Sequence, residues 1–450
     1  MNCIEFMETF FALAKIGAIG VPLNWRLTTS ELEFILKDSG SSVLIYSSEF
    51  QDAIEALQAL PDGATDIRDW LCIGAATATC KSYTDLQSAS PVTEPALGGG
   101  EDDRLYIMYT SGTTGLPKGV VHTHNSVFWS LTTLALTSDN RFADRYYCCL
   151  PLFHVGALTP ALSSAYGGAT LVVPRSFDPV KTWQTIEREK ICNMLAVPAM
   201  LQAMKMTYEM VKPDYSSLRW MTCGAAPVPV DLIHHFGDLG VDILQVYGLT
   251  ETCGPACLID AKNAIEKAGS AGPAFFHTQI RVVDESGNDC PPNEAGEVLV
   301  AGRHILTEYW NRPEATAEAI KDGWFYTGDI ATMDEDGFVY ICDRKKDMII
   351  SGGENIYPAE LENVLFSHPK IADVAIIGQK SAKWGEVPLA IIIKGDESLT
   401  DADVLGYCGD KLAKFKQPKG VRFVTEIPRN PSGKILKRVL REQFPEDAEG

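Results

Sequence analysis

From Met1 to Val246 the chain alternates helical patterns with short apolar runs of strand length, and this alternation restricts the fold more than any other feature. Asn2 with Glu5 three residues on is a capping-box pattern, opening a helix that runs to about Lys15. Gly17 and Gly20 end it, and residues 19–23 read as a short strand. Thr28 with Glu31 caps a second helix over 32–37, followed by a strand at 41–46. Residues 75–103, rich in Ala, Ser, Thr, Pro and Gly, read as a loop. From Tyr146 the order is strand 146–150, helix 157–165, strand 169–173 and helix 180–189. Strand 193–197, helix 199–210 and strands at 220–223 and 242–246 follow. Such a pattern predicts a parallel sheet with helices on its faces.

After about residue 270 the texture changes. Apolar runs at 279–284 and 296–301 flank Glu285-Ser-Gly-Asn288 and read as a hairpin; 323–329 and 337–342 add short strands. A charged run, Asp343-Arg-Lys-Lys-Asp347, marks a boundary. Beyond it, strands at 374–377 and 389–393 and helices at 358–366 and 401–412 make a compact unit. The expected architecture is α/β. A large N-terminal domain, 1–342, combines parallel β/α sheets with a β-rich subdomain, and a small mobile C-terminal α/β domain spans 343–450.

Net charge is −20 over 450 residues, which excludes a general nucleic-acid binder and argues against polybasic docking to anionic lipid. Twelve scattered cysteines without a Cys-x-x-Cys read as reduced thiols of a cytoplasmic protein. Cys253 with Cys257, and His122 with His124, lack the second pair that a structural zinc needs. The apolar N-terminus fails as a signal peptide, because no basic segment precedes it and Glu5, Glu8 and Lys15 lie within it. No uninterrupted apolar run of about 18 residues exists, so no membrane span is expected, while peripheral membrane contact stays open.

The sharpest local feature is Tyr109-Thr-Ser-Gly-Thr-Thr-Gly-Leu-Pro-Lys118, set between apolar runs. Glycines let backbone approach a ligand, hydroxyls add donors, and Lys118 adds positive charge, a composition that suits phosphate oxygens. It is not a Walker A loop: counted from Gly112, Pro117 stands where that pattern needs glycine.

That loop, Tyr247-Gly-Leu-Thr-Glu251, Tyr326-Thr-Gly-Asp329, Asp343-Arg344 and Pro431-Ser-Gly-Lys434 stand in the order of the adenylate-forming acyl-CoA synthetases. The chain resembles that family over nearly its whole length. The phrases at 109–124, 351–358 and 427–434 look most like bacterial long- and very-long-chain fatty-acyl-CoA synthetases. Family members usually begin with further strands and helices, so the chain reads as N-terminally short.

The resemblance implies ATP, Mg²⁺ and CoA as cofactors and a small carboxylic acid as substrate. By it, Thr110, Ser111, Gly112, Thr113, Thr114, Gly115 and Lys118 bind the β- and γ-phosphates. Thr250 and Glu251 sit at the α-phosphate, with Glu251 holding Mg²⁺, since a carboxylate beside a triphosphate needs a bridging cation. Gly224, Ala225, Ala226 and Tyr247 form the adenine slot; Asp329 holds the ribose hydroxyls and Arg344 adds a second contact. Lys434 bridges the carboxylate and the α-phosphate. Lys346 is the hinge, Gly352 and Gly353 face the CoA channel, and His154 lines the acyl pocket. Read without the resemblance, Glu251 is a first-turn carboxylate favoured by a helix dipole and Tyr247 a half-buried core tyrosine. Asp329 and Arg344 are then a surface salt bridge, Lys434 a solvated loop lysine and His154 a hydrogen-bonded turn histidine. The basic run Lys411, Lys414, Lys416 and Lys419 offers contacts to CoA phosphates or is a solvated helix face.

Two rivals to a fatty-acyl-CoA ligase stay open: an aryl- or cinnamoyl-CoA ligase, and a truncated non-catalytic relative that binds nucleotide or acyl-CoA. A hydrolase lacks its Gly-x-Ser-x-Gly elbow here. A peptide synthetase would need a carboxylate near His154 and a carrier domain.

Overall fold

The computed structural model describes residues 1–110, 117–226, 228–352, 354–381, 384–409, 411–429 and 434–445. The chain packs as two compact units. One comprises Met1–Phe177, Leu249–Gly254 and Gly302–Ile320; the other comprises Asp178–Gly248, Pro255–Ala301 and Lys321–Gly450.

The first unit opens with helix Ile4–Ile16. The expected Asn2 cap is not made: Cys3 takes the cap position. The Asn2 amide is buried instead, donating to the Leu150 carbonyl at 2.8 Å and accepting from the Leu152 N–H at 2.9 Å. A buried amide that satisfies two otherwise unpaired backbone groups outweighs a cap that water can replace. Residues 19–23 form one parallel bridge, Gly20 to Tyr106, rather than a strand. The second helix, Thr29–Ser39, carries the expected reciprocal cap, with the Thr28 N–H donating to Glu31 Oε2 at 2.7 Å. A parallel sheet of Val43–Ser47, Asp69–Ile73 and Lys81–Ser82 follows, its core built from Leu32, Leu36, Leu44, Ile54 and Leu57. The stretch read as loop contains helix Tyr83–Ala89, whose Ser82 cap accepts from the Asp85 N–H.

Strands Arg104–Thr110 and Lys118–Thr123, which flank the Gly/Thr-rich stretch in sequence, pair antiparallel. Short strand Glu308–Tyr309 pairs with the second of them. Gly119 is required here: a Cβ would stand 2.6 Å from Ile107 Cγ2. Helix His124–Thr137 starts on a reciprocal cap between Thr123 and Ser126.

The second unit contains the parallel strands Asn193–Ala196, Trp220–Cys223 and Asp242–Tyr247. Helix Pro179–Glu189 starts as its sequence demands, with Asp178 accepting from the Lys181 N–H and proline in the first turn. It buries Trp183 and Ile186. Helix Val230–Asp238, absent from the sequence reading, lies between the last two strands. The β-rich segment is antiparallel throughout its pairing of Gln279–Val283, Gly296–Ala301, Trp324–Met333 and Val339–Arg344. Beyond it, strands Ile371–Ser381 and Gly385–Lys394 form a long antiparallel pair. Successive residues supply two separate cores, one with Val374, Ile376, Ala390 and Ile392 and another with Ala375, Ile377, Leu389 and Ile391. This period-two division explains why both runs are continuously apolar: each face of the sheet is covered.

Candidate functional site

Thr110 and Lys118 are the last paired residues of the first unit's hairpin. Ser111, Gly112, Thr113, Thr114 and Gly115, the heart of the expected phosphate cradle, lie outside the described residues. Thr110 Oγ1 approaches the Lys118 carbonyl at 3.5 Å. The Lys118 ammonium lies over the Tyr309 ring, 5.0 Å from its centroid. The Tyr309 hydroxyl donates to Glu251 Oε1 at 3.0 Å. Burial, and then the Glu251 carboxylate, push the Tyr309 phenol far above its ordinary value, so this hydroxyl is a permanent donor.

Thr250 and Glu251 sit on a single 3₁₀ turn, Thr250–Thr252. Its backbone is held at two points. The Leu306 N–H donates to the Glu251 carbonyl at 2.6 Å, and His122 Nε2 meets the Thr250 carbonyl at 2.7 Å. A carbonyl accepts only, so Nε2 carries the proton, and Nδ1 accepts from Ser126 Oγ at 3.2 Å. Burial, above all, lowers His122 to about 4, so it is neutral at pH 7. His122 therefore positions Thr250 and is no metal ligand. The stem of the hairpin is fastened through Asp38. That carboxylate accepts from the Tyr109 hydroxyl at 2.7 Å and from Arg312 Nη2 at 2.7 Å. Trp310 Nε1 donates to the Asp38 carbonyl at 2.9 Å.

His154 occupies the cap position of helix Val155–Tyr166, its ring tilted against Phe153 at 4.5 Å between ring centroids. Burial and then Arg26 lower it to about 4. It is thus a neutral imidazole, and its Nε2 is buried without a hydrogen-bond partner among the described residues.

In the second unit, Gly224, Ala225 and Ala226 follow strand Trp220–Cys223. A Cβ on Gly224 would stand 2.5 Å from the Val246 carbonyl, so glycine lets the turn lie close against the neighbouring strand. Ala225 adopts φ +67, a left-handed conformation unusual for a residue with a Cβ. Tyr247, at the end of that neighbouring strand, donates through its hydroxyl to Asp329 Oδ2 at 2.7 Å. Asp329 and Arg344 face each other across adjacent antiparallel strands, with Arg344 Nε 3.7 Å from Asp329 Oδ1.

Lys434 joins this group. Burial and then Arg344 lower its ammonium to about 8, against the opposing pull of Asp329 and Asp347. Lys346 feels the same surroundings: burial and then Arg344 lower it. Tyr247, Asp329 and Arg344 are thus linked by contact, and the charges of Arg344, Asp329, Lys346 and Lys434 act on one another. The helix just after Lys434, Lys437–Gln443, is pinned by buried charges. Lys437 Nζ lies 3.0 Å from Glu362 and 3.7 Å from Asp343, and Arg441 reaches Asp347 at 2.8 Å. Gly352 takes φ +60 beside Trp384, and Gly353 lies outside the described residues. Of the basic run, Lys416 is engaged with Glu360 at 2.7 Å and Lys411 stands over the Tyr407 ring.

The sequence reading missed Tyr309, Asp38, Lys437 and the positioning role of His122. Each works through a partner distant in the chain, and no local pattern announces such pairs. Magnesium fits the first unit's chemistry. Glu251 is an oxygen donor, and among the described residues no cluster of three or more His, Cys, Asp or Glu converges. One carboxylate completed by substrate phosphates is a donor set that Mg²⁺ commonly takes.

Residues 1–310 match the AMP-binding enzyme family, and residues 360–434 match the AMP-binding enzyme C-terminal domain. A long-chain-fatty-acid–CoA ligase of Mycobacterium tuberculosis is 45% identical over 443 residues, covering 98% of this chain and 86% of the relative. A feruloyl-CoA synthase of an Amycolatopsis species is 40% identical over 450 residues, covering 98% and 87%. Among solved structures, o-succinylbenzoate coenzyme A synthetase from Bacillus subtilis, in complex with ATP and magnesium ion, aligns with TM-score 0.86 at 32% identity, covering 98% of this chain and 88% of that one. None of the Lys118, Tyr247, Glu251, Asp329 and Lys434 positions read from the motifs is missing from the fold just described, and the chain belongs to the AMP-binding enzyme family.

Proposed function

We propose that the chain is an ATP-dependent fatty-acyl-CoA ligase working in the cytoplasm, where ATP and CoA are supplied. A carboxylate attacks the α-phosphorus of ATP, giving acyl-adenylate and pyrophosphate; the CoA thiol then displaces AMP to give the thioester. The first step brings two anions together, so positive charge and fixed donors have to meet them. The observation that carries the reading is the gathering of Lys434 with Asp329 and Arg344. A lysine lowered to about 8 is still mainly protonated at pH 7. Its positive charge is of the sign that an arriving carboxylate and α-phosphate require.

Asp329 takes the ribose hydroxyls, Arg344 a second contact, and Tyr247 the adenine face beside Gly224, Ala225 and Ala226. Glu251, fixed by Tyr309 and by its own backbone, holds Mg²⁺, and Thr250 faces the α-phosphate. When bound, Mg²⁺ neutralises phosphate charge. The loop from Thr110 through Gly115, with Lys118, grips the pyrophosphate as it leaves. Residues 343–450 act as a C-terminal domain that turns about Lys346 between the two half-reactions. Support comes from the separate apolar cores that these residues build. After the turn, Gly352 and Gly353 face the CoA channel. His154, a neutral buried imidazole, lines the acyl pocket.

The test is CoA-dependent AMP release across carboxylic acids of rising chain length, with aromatic acids included. Preference for long alkyl acids supports the proposal. A second reading, an aryl-CoA ligase, is favoured by the 40% identity to a feruloyl-CoA synthase. Turnover of cinnamate- or benzoate-type acids alone would establish it and overturn the fatty-acid claim. Failure on every acid with a folded chain would overturn both.

A further inference from the structure

The small parallel sheet of the first unit contains a pair of cysteines that the ligase reading does not use. Strands Asp69–Ile73 and Lys81–Ser82 lie side by side, with Cys72 opposite Ser82. Cys80 precedes the second strand, so it shares a face with Ser82 and stands one diagonal step from Cys72. Both side chains enter the same core, Cys72 1% and Cys80 8% exposed. Each thiol lies close enough to influence the ionisation of the other.

The surroundings distinguish the two sulfurs. Cys80 Sγ meets the Thr77 N–H at 3.3 Å and Thr77 Oγ1 at 3.1 Å. Burial raises the Cys80 thiol, but Thr77, Tyr46 and Cys72 outweigh burial and hold it below the ordinary value. At Cys72 the balance runs the other way: burial and then Cys80 raise it, against the opposing effect of Tyr46. One partner thus favours the thiolate and the other keeps its proton, which suits a nucleophile beside a resolving thiol. Residues 74–79 form an exposed turn directly before Cys80, giving a small oxidant its approach and the backbone room to shift. Disulfide closure needs Cα atoms within roughly 7 Å, so this diagonal pair closes through a small shift of the turn.

We propose that Cys72 and Cys80 form an oxidation site that hydrogen peroxide converts to an intramolecular disulfide. The Cys80 thiolate attacks one peroxide oxygen; an S–O bond forms, the O–O bond breaks and hydroxide leaves. Cys80 is now a sulfenic acid, oxidised by two electrons. The Cys72 sulfur attacks the Cys80 sulfur, the S–S bond forms and the S–O bond breaks. The departing oxygen leaves as water with the Cys72 proton. Overall, two thiols and one peroxide give one disulfide and two waters.

The experiment treats the full-length protein with hydrogen peroxide, alkylates under denaturing conditions and maps the peptides by mass. Two of the twelve thiols should be protected, joined in one Cys72–Cys80 linked species that dithiothreitol reverses. Cys72→Ser should accumulate a dimedone-reactive sulfenic acid at Cys80, several-fold above the unsubstituted protein. Cys80→Ser should show no such adduct at Cys72. Alkylation of both Cys72 and Cys80 after peroxide, or protection only at other cysteines, overturns the proposal.

Discussion

Glu251 and Lys434 are held by different physics. The Glu251 turn is held by neutral, directional donors: the Tyr309 hydroxyl on the carboxylate, the Leu306 N–H on the carbonyl, and His122 on the adjacent Thr250 carbonyl. Around Lys434 the neighbours are charges of both signs, Arg344 and Lys346 against Asp329 and Asp347. The first arrangement fixes a position; the second sets a field. A hydrogen bond loses its value when one atom is removed, whereas a field responds to pH and to every charge within it. The Glu251 turn should therefore be sensitive to geometry and the Lys434 cluster to protonation.

The largest break in this comparison is Lys434→Ala. Adenylation, followed by pyrophosphate exchange, should fall about 10²- to 10³-fold, as when a charge-stabilising donor is lost. Thioester formation from supplied acyl-adenylate should survive; equal loss of both would show that Lys434 does not divide the half-reactions. Next comes Tyr309→Phe, which removes one hydrogen bond to a charged group. The kcat/KM for MgATP should drop about 10- to 100-fold. An unchanged value would mean that Glu251 is placed without Tyr309.

The pH response is the third test. Lys434 loses its charge as pH rises through about 8. In the free enzyme, kcat/KM for ATP should fall about tenfold per pH unit above that point. Lys434→Arg stays charged throughout, so this limb should disappear from whatever activity remains. The smallest effect concerns stability. A lysine lowered from 10.5 to about 8 in the folded protein binds its proton more weakly there than in the unfolded chain. Its penalty is complete below pH 8 and is relieved as pH rises from 8 toward 10.5. Lys434→Met should therefore raise Tm by a few degrees at pH 7, and the gain should shrink over that window. A lowered Tm at pH 7 would show that the field around Lys434 is balanced and not strained.

Much of this was legible from residues alone. The Thr28–Glu31 cap, the helix starting at Asp178 and the helix Pro358–Phe366 follow local rules of capping and proline placement, and the structure keeps them. Asp329 and Arg344 were identified from separate motifs and proved to be cross-strand partners. Where local rules competed with burial, burial won. Asn2 left its cap for the backbone at 150–152, and residues 19–23 kept only the Gly20 bridge.

The sequence by itself determined the order of elements, the turns rich in glycine and hydroxyls, and the family whose motifs they compose. Periodicity, capping and turn chemistry act over a few residues, so a linear reading captures them. The tertiary structure alone decided that the strands on either side of the Gly/Thr loop pair antiparallel. It also decided that Asp38 fastens the hairpin's stem and that Tyr309 rather than a neighbour holds Glu251. The Tyr309–Glu251 bond spans 58 positions and the Asp38–Arg312 pair spans 274. Pairs so distant are chosen by the packing of whole elements, and a short window of sequence does not contain that choice.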